Sequence, residues 1–356
     1  MRILQLNFER DWRGGERQTL LCMRAFREAG HQVELLARRG YPLAERAREQ
    51  GHVVHERERP MQAGLFLARH GRGYDIVHAQ TANMLTWAVA AKWLYRRPLV
   101  VSRRTAMPVV RRQAATAFKW RCADAVAAVS ESAAAEPRRL GVPAVVVHSA
   151  VEPAGPPARE RMEDFARRHD LAGRRLVFTA ASLTREKDPE TLVRAVAALA
   201  RTRRDFVLVH LGADGPLRPA VEALVEELGV RDCYRYAGFQ DHPEELYPMA
   251  DVFVLTSLRE GLSTAVLDAF LCGVPVVSTD AGGQRESLAD GRGILCRTGD
   301  HEAVAAGIAR LLDDRDLRRD VVARARDYVE REHGVREMGR RYLALYQDVL
   351  EGRHGN

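Results

Sequence analysis

Short runs of Val, Ile, Leu and Ala alternate with helix-forming stretches along the whole chain, and a proline-rich segment interrupts the alternation once. In the first half the runs are RILQLN (2–7), QVELLA (32–37), DIVHA (75–79), PLVVS (98–102), DAVAAVS (124–130) and AVVVHS (144–149), with amphipathic helices expected near 15–29 and 83–95. Strands this apolar, separated by helices, belong to a parallel sheet covered on both faces. VEPAGPPA (151–158) then places three prolines and a glycine in eight residues, which neither a helix nor a central strand tolerates. It reads as an interdomain linker.

The pattern resumes at RLVFTAAS (175–182), DFVLVHLG (205–212), CYRYAG (233–238), DVFVLT (251–256), PVVST (275–279) and GILC (293–296). Helices are expected near 189–201, 217–228, 243–249, 264–272 and 301–312, and the tail 316–350 is amphipathic and strand-free. The fold class is therefore α/β, with two doubly wound domains facing across a cleft, because ligands bind at the carboxyl ends of such strands. The boundaries read from the pattern are 1–158, 159–334 and a last helix over 335–356, expected to pack back toward the N-terminal domain.

Composition narrows the class. A chain of 356 residues with 46% apolar and 29% charged residues is globular and long enough for two domains. Cys22, Cys122, Cys233, Cys272 and Cys296 form no CxxC pair, which argues against a disulfide framework or zinc site and fits a reducing compartment. The charged opening MRILQLNFERDWRGGER is unlike a signal peptide, and no apolar run reaches the roughly 18 residues of a membrane span. The expectation is a cytoplasmic protein. Residues 1–150 hold 25 Lys/Arg against 13 Asp/Glu, a charge of +12, whereas the remaining 30 against 35 give −5. The first half should seek an anionic partner.

The richest segment is TSLREGLSTAVLDAFLCGVPVVSTDAGGQRE (256–286). A strand ends at Thr256, a loop carries Glu260 and Gly261, and a helix begins near Ser263 and Thr264, both good N-cap residues. The free N–H groups of a helix N-terminus suit a phosphate. Glu260 precedes that terminus and Asp268 lies eight positions later, inside the helix. Two acids flanking a phosphate site suit a ligand with hydroxyls at both ends of a diphosphate. The same spacing is met equally by a surface loop acid and an exposed helical aspartate.

This segment resembles the EX7E motif of the retaining family 4 glycosyltransferases, enzymes of the GT-B fold with two Rossmann-like domains. The usual form has a second Glu and a Gly-Phe-Gly run; here the second acid is Asp268 and the run is Gly261-Leu262-Ser263. The resemblance implies that Glu260 contacts the transferred sugar and Asp268 the ribose, with Gly261, Leu262, Ser263 and Thr264 around the donor. TAASLTREKDPETLVRAVAAL (179–199) is similar to the family's diphosphate-binding strand, loop and helix, with Lys187 at the phosphate lysine. Ser182 stands where the family has an arginine, and Arg185 in the same loop is expected to substitute in part. LGADGPLRPAVEALVEELGV (211–230) and YAGFQDHPEELYPMADVFVLTS (236–257) match further stretches, the backbone after Gly238-Phe239 holding the nucleobase in the family.

In the N-terminal domain, Gly14-Gly15-Glu16-Arg17 resembles the family's Gly-Gly loop, whose bare backbone can approach the donor. Arg103-Arg104 follow the strand PLVVS, where many relatives carry a histidine; Arg104 is placed at that position. An arginine there stays protonated. It would hold an acidic acceptor or a phosphate on the acceptor side. His78 in DIVHAQ reads as a satisfied strand-end histidine, and Asp314-x-Asp316 as a surface turn rather than a metal-type DxD.

The last feature is a basic cluster. Residues 92–121 contain nine cations and no acid, interleaved with Trp93, Tyr95, Met107, Val109, Val110, Phe118 and Trp120. Such a surface suits an anionic membrane, with Trp93, Phe118 and Trp120 entering the interface; nucleic acid is not expected, since no recognition motif accompanies the charge.

The resemblance implies a metal-independent transfer, with retention, of a sugar from a nucleotide-sugar, UDP-sugar favoured, to a glycan or lipid-linked acceptor. No cofactor and no metal site are expected. Lipopolysaccharide or envelope glycan synthesis on the cytoplasmic face of the inner membrane suits the charge. The alternatives are a cytosolic glycosyltransferase with a soluble acceptor and a nucleotide-sugar 2-epimerase.

Overall fold

A computed structural model describes residues 1–153, 155 and 159–353, so the expected linker lies partly outside the described residues. The chain divides into two units, one of Met1–Ala150 with His333–Asn356 and one of Val151–Glu332.

In the first unit, β1 (Arg2–Asn7), β2 (Gln32–Arg38), β3 (Val53–Arg57), β4 (Ile76–Ala79), β5 (Leu99–Arg103), β6 (Ala125–Ala128) and β7 (Val145–Val146) form one parallel sheet in the order β3-β2-β1-β4-β5-β6-β7. The helices between them are α1 (Gly14–Glu28), α2 (Pro42–Glu49), α3 (Met61–His70), α4 (Ala82–Tyr95), α5 (Gln113–Arg121) and α6 (Glu131–Arg139). Successive strands build outward from β1 in one direction and from β4 in the other. The switch point therefore lies between β1 and β4, and the loops after them meet there.

The second unit repeats the plan. After α7 (Arg159–His169), strands β8 (Arg175–Ala180), β9 (Phe206–Leu211), β10 (Tyr234–Gly238), β11 (Val252–Leu255), β12 (Val276–Thr279) and β13 (Ile294–Cys296) pair in parallel in the order β10-β9-β8-β11-β12-β13. They are covered by α8 (Pro189–Ala200), α9 (Arg218–Glu227), α10 (Thr264–Leu271), α11 (Gln284–Leu288), α12 (His301–Asp313) and α13 (Arg315–Glu332). Here the switch point lies between β8 and β11. Both sheets are doubly wound, as the strand–helix alternation implies.

Two elements differ from expectation. The edge strand β3 has only two apolar residues, in VVHER, too few to show a period. The stretch 243–249 forms two separate 3-10 turns rather than one helix, with Pro243 and Pro248 each lacking a donor. The tail breaks at Gly334, which is extended (φ −71°, ψ 146°), and α14 (Val335–Leu350) follows. α14 buries Met338, Tyr342, Leu345 and Tyr346 in the core of the first unit, against Leu21, Cys22 and Phe26 of α1. No described helix is long and apolar enough to cross a membrane.

Candidate active site

In the second unit the loops after β8 and β11 are laced together. The Thr256 hydroxyl donates to the Asp188 carbonyl at 3.0 Å, and the Leu258 N–H to the Glu186 carbonyl at 2.8 Å. Asp188 caps α8, accepting from the Thr191 N–H and hydroxyl. This lacing brings Lys187 and Glu260, 73 residues apart, into an ion pair: Lys187 Nζ donates to Glu260 Oε1 at 2.5 Å. The Ser257 hydroxyl donates to the same oxygen at 2.7 Å. Glu260 is largely buried and Lys187 one-quarter exposed.

Two glycines let these loops approach. A Cβ on Gly215 would lie 2.1 Å from the Leu183 carbonyl oxygen, beneath the Lys187 loop. On Gly283 it would lie 2.2 Å from the oxygen of Gly261. Neither contact admits a side chain, so both positions fix the loops from behind.

Ser263 is the N-cap of α10, but its side chain makes no capping hydrogen bond, contrary to the expectation from its residue type. The first-turn N–H groups are thus not consumed by a side-chain cap. Leu262 is buried beside them, and Thr264 opens the helix. Asp268 stands in the second turn and is only 4% exposed, so it is not an exposed helical acid. Arg185 begins the 3-10 turn that ends at Lys187; it is exposed, and makes no side-chain hydrogen bond or ion pair among the described residues. Gly238 closes β10 with φ +71°, and Phe239 after it is 56% exposed.

In the first unit, Gly14 and Gly15 begin α1, directly after the loop from β1. Arg104 reaches that turn: its Nη1 donates to the Gly15 carbonyl at 2.7 Å and its Nη2 to Gln80 Oε1. Glu16, nearly buried, is pushed up in pKa by burial, against the opposing pull of Arg104. Arg103 faces elsewhere. Its guanidinium donates to the carbonyls of Ala133 and Met107 and lies 4.9 Å above the Trp120 ring, tying α5 to α6. His78 is fully buried with both ring nitrogens hydrogen-bonded, and burial pushes its pKa down to about 3.

The basic cluster divides. Lys92 pairs with Asp124 at 2.7 Å, just outside the acid-free window. Trp120 is buried at 5% exposure and cannot enter an interface, which corrects the expectation for that residue. Trp93 and Phe118 are 70% and 61% exposed. The Lys119 ammonium bonds the Thr86 hydroxyl, joining α5 to α4, while Arg111, Arg112 and Arg121 are exposed. Asp314 caps α13 through the Leu317 N–H, and Asp316 pairs with Arg319. Among the described residues no group of three or more His, Cys, Asp or Glu could hold a metal ion.

Residue types alone did not single out Ser257, Gln80 or Gly283. Ser257 and Gln80 are ordinary polar residues just past strand ends, and only sheet order reveals that such positions flank a switch point.

The model for glycosyl transferases group 1 matches residues 161–328, and that for glycosyltransferase family 4 matches residues 12–155. The chain belongs to the family 4 glycosyltransferases of the GT-B fold. Among its relatives is the N-acetyl-alpha-D-glucosaminyl L-malate synthase of Bacillus anthracis, 32% identical over 177 residues, which are 49% of this chain and 46% of that one. The alpha-D-kanosaminyltransferase of Streptomyces kanamyceticus is 27% identical over 73% of this chain and 69% of its own. The first match thus spans about half the length of the relative. Anabaena HepE, crystallised with UDP-glucose, superposes with a TM-score of 0.86 at 18% identity, covering 98% of this family 4 chain and all of HepE.

Proposed function

We propose that the protein transfers a sugar, with retention of configuration, from a nucleotide-sugar to an acceptor hydroxyl. The observation that carries this reading is the Lys187–Glu260 pair at the switch point beside the uncapped N-terminus of α10. Departure of the diphosphate leaves negative charge on its oxygens. Lys187, Arg185 and the N–H groups at Ser263–Thr264 would stabilise that charge without a metal, while Glu260, released from Lys187, orients the donor sugar. Gly261 and Leu262 line the same loop, Asp268 would read the ribose, and Gly238 with Phe239 the nucleobase. UDP is the favoured carrier, supported by the UDP-glucose complex of HepE.

The first unit is assigned the acceptor, with Gly14 and Gly15 approaching the donor. Arg104 is a permanent cation there, which suits an acceptor bearing a carboxylate or phosphate. Exposed Trp93 and Phe118 beside Arg111, Arg112 and Arg121 support a lipid-linked envelope glycan met at an anionic membrane. The resemblance to LpsE, a lipopolysaccharide core biosynthesis glycosyltransferase of Rhizobium meliloti, agrees with that reading. A soluble anionic acceptor is the second reading, favoured by the pairing of Lys92 with Asp124, which weakens the patch. Hydrolysis assayed across a panel of nucleotide-sugars tests the whole proposal. Release of free sugar from one donor supports it; epimerised nucleotide-sugar as the product, or no turnover of any donor, overturns it.

A further inference from the structure

Behind Arg104 runs a chain of buried polar side chains from strands β1, β4 and β5 to α14. Gln80 Nε2 donates to Gln5 Oε1 at 2.5 Å, Gln5 Nε2 to the Tyr346 hydroxyl at 3.4 Å, and that hydroxyl lies 2.6 Å from His78 Nδ1. His78 Nε2 lies 2.8 Å from the Ser102 hydroxyl, itself 2.8 Å from that of Tyr342. Gln5, Gln80, His78, Ser102, Tyr342 and Tyr346 are each at most 4% exposed, so water cannot replace these bonds and each polar atom depends on its neighbour.

The chain has one direction, set at its charged end. Arginine can only donate, so Gln80 must turn Oε1 toward Arg104 and Nε2 toward Gln5. Gln5 then accepts from Gln80 and donates to Tyr346, whose own proton goes to His78 Nδ1. Gln80 Nε2 also lies 3.3 Å from Nδ1, again as a donor. The imidazole proton is left on Nε2, facing Ser102. Burial keeps the ring neutral, as a ring that accepts at one nitrogen and donates at the other must be.

We propose that Gln80 is a positioning residue that aims Arg104 at the Gly14–Gly15 turn, its own amide orientation being fixed by the Gln5–Tyr346–His78 relay. This rests on the proposed role of Arg104 and that turn in meeting substrate. Gln80 touches no substrate itself. It acts by supplying the acceptor that, with the Gly15 carbonyl, leaves the Arg104 guanidinium one orientation.

Substitution of Gln80 separates positioning from simple packing. In Gln80→Leu, Arg104 loses an acceptor and Gln5 a donor. In Gln80→Glu, the carboxylate still accepts from Arg104 but cannot donate to Gln5. Gln5 then flips, Tyr346 donates to it, and His78 moves its proton from Nε2 to Nδ1. The bond from Arg104 is kept as it is, and each bond from residue 80 through Gln5 and Tyr346 to His78 survives with reversed polarity.

Three readouts test this: nucleotide-sugar hydrolysis kcat, UDP Kd by calorimetry, and the His78 tautomer by imidazole nitrogen NMR. Expected are a kcat lowered at least tenfold in Gln80→Leu, a kcat within about threefold of wild type in Gln80→Glu, and UDP Kd unchanged in both. His78 should be the Nε2–H tautomer in wild type and Nδ1–H in Gln80→Glu. Equal loss in both variants, wild-type turnover in a folded Gln80→Leu, or an unmoved tautomer overturns the proposal. Should Gln80→Leu not fold, Gln80→Glu decides alone. Wild-type protein that hydrolyses no nucleotide-sugar would sink the proposed function instead, while the tautomer still tests the relay.

Discussion

Lys187 Nζ and Glu260 Oε1 lie 2.5 Å apart across the switch point of the second unit. The cation assigned to the leaving group and the acid assigned to the sugar therefore neutralise each other before a donor arrives. Glu260 keeps a second partner in Ser257, so a diphosphate drawing Lys187 away does not strand the carboxylate. The pair ties the loops after β8 and β11 together, and the proposed function requires that a bound donor exchange it for ligand contacts.

Lys187→Ala should therefore reduce turnover by at least about 100-fold, equivalent to roughly 2.7 kcal/mol of lost charge stabilisation. It also leaves a nearly buried carboxylate without its cation, which is costly. The double variant Lys187→Ala with Glu260→Gln should recover thermal stability without recovering turnover. Near-normal turnover in Lys187→Ala would remove the lysine from the mechanism.

Activity should survive a strong chelator, because the charge of the leaving group is assigned to Lys187, Arg185 and the α10 N-terminus. Loss of turnover in EDTA, restored by Mg²⁺ or Mn²⁺, would assign that charge to a metal.

Asp268 is one methylene shorter than the family's usual glutamate and is buried within the second turn of α10. If it reaches the ribose, a 2′-deoxyribose donor should bind more weakly than its ribose counterpart to wild type, and about equally to Asp268→Ala. Calorimetry with both donors decides; the same discrimination in the two proteins removes the ribose contact.

The strand–helix alternation was open to sequence reading because most of these buried parallel strands are apolar throughout. The mixed edge strand β3 was not, and the sheet order that sets both switch points is visible only in the fold. Glu260 and Asp268 stood out because their spacing around one strand–loop–helix resembles a known motif, and Lys187 because the separate stretch 179–199 resembles the same family's diphosphate-binding loop. Side-chain direction was not open to it. Arg103 and Arg104 are neighbours with the same chemistry, yet one stacks on Trp120 and the other reaches Gly15. Trp120 and Phe118 likewise sit on opposite faces of a nine-residue helix whose pattern carries no clear amphipathic stripe.

Acid should destabilise the fold before the carboxylates titrate. Burial holds His78 at about 3 and His52 and His210 at about 4, below the roughly 6.5 of an unfolded histidine. Between those values the unfolded chain binds more protons, so stability is complete above about pH 6.5 and falls as pH drops toward 4. The slope approaches about 1.4 kcal/mol per pH unit for each group. Thermal midpoints should therefore fall between pH 7 and 5, and less steeply in His210→Gln. A flat profile over that range would mean that these rings are not buried as neutral bases.

The surface of α4 and α5 should bind anionic membrane. Trp93 and Phe118 supply exposed apolar area, while Arg111, Arg112, Lys119 and Arg121 supply attraction that physiological salt screens within about 8 Å. Trp120 contributes nothing, being buried under Arg103. Binding to phosphatidylglycerol vesicles should exceed binding to neutral vesicles and weaken as salt rises. Replacing those four cations with serine should abolish the preference, and Trp93→Ser with Phe118→Ser should weaken binding even at low salt. Donor hydrolysis should persist in both sets, since donor contacts are assigned to other residues. If wild type ignores anionic vesicles at low salt, the cations form a solvated face and the soluble anionic acceptor becomes the better reading.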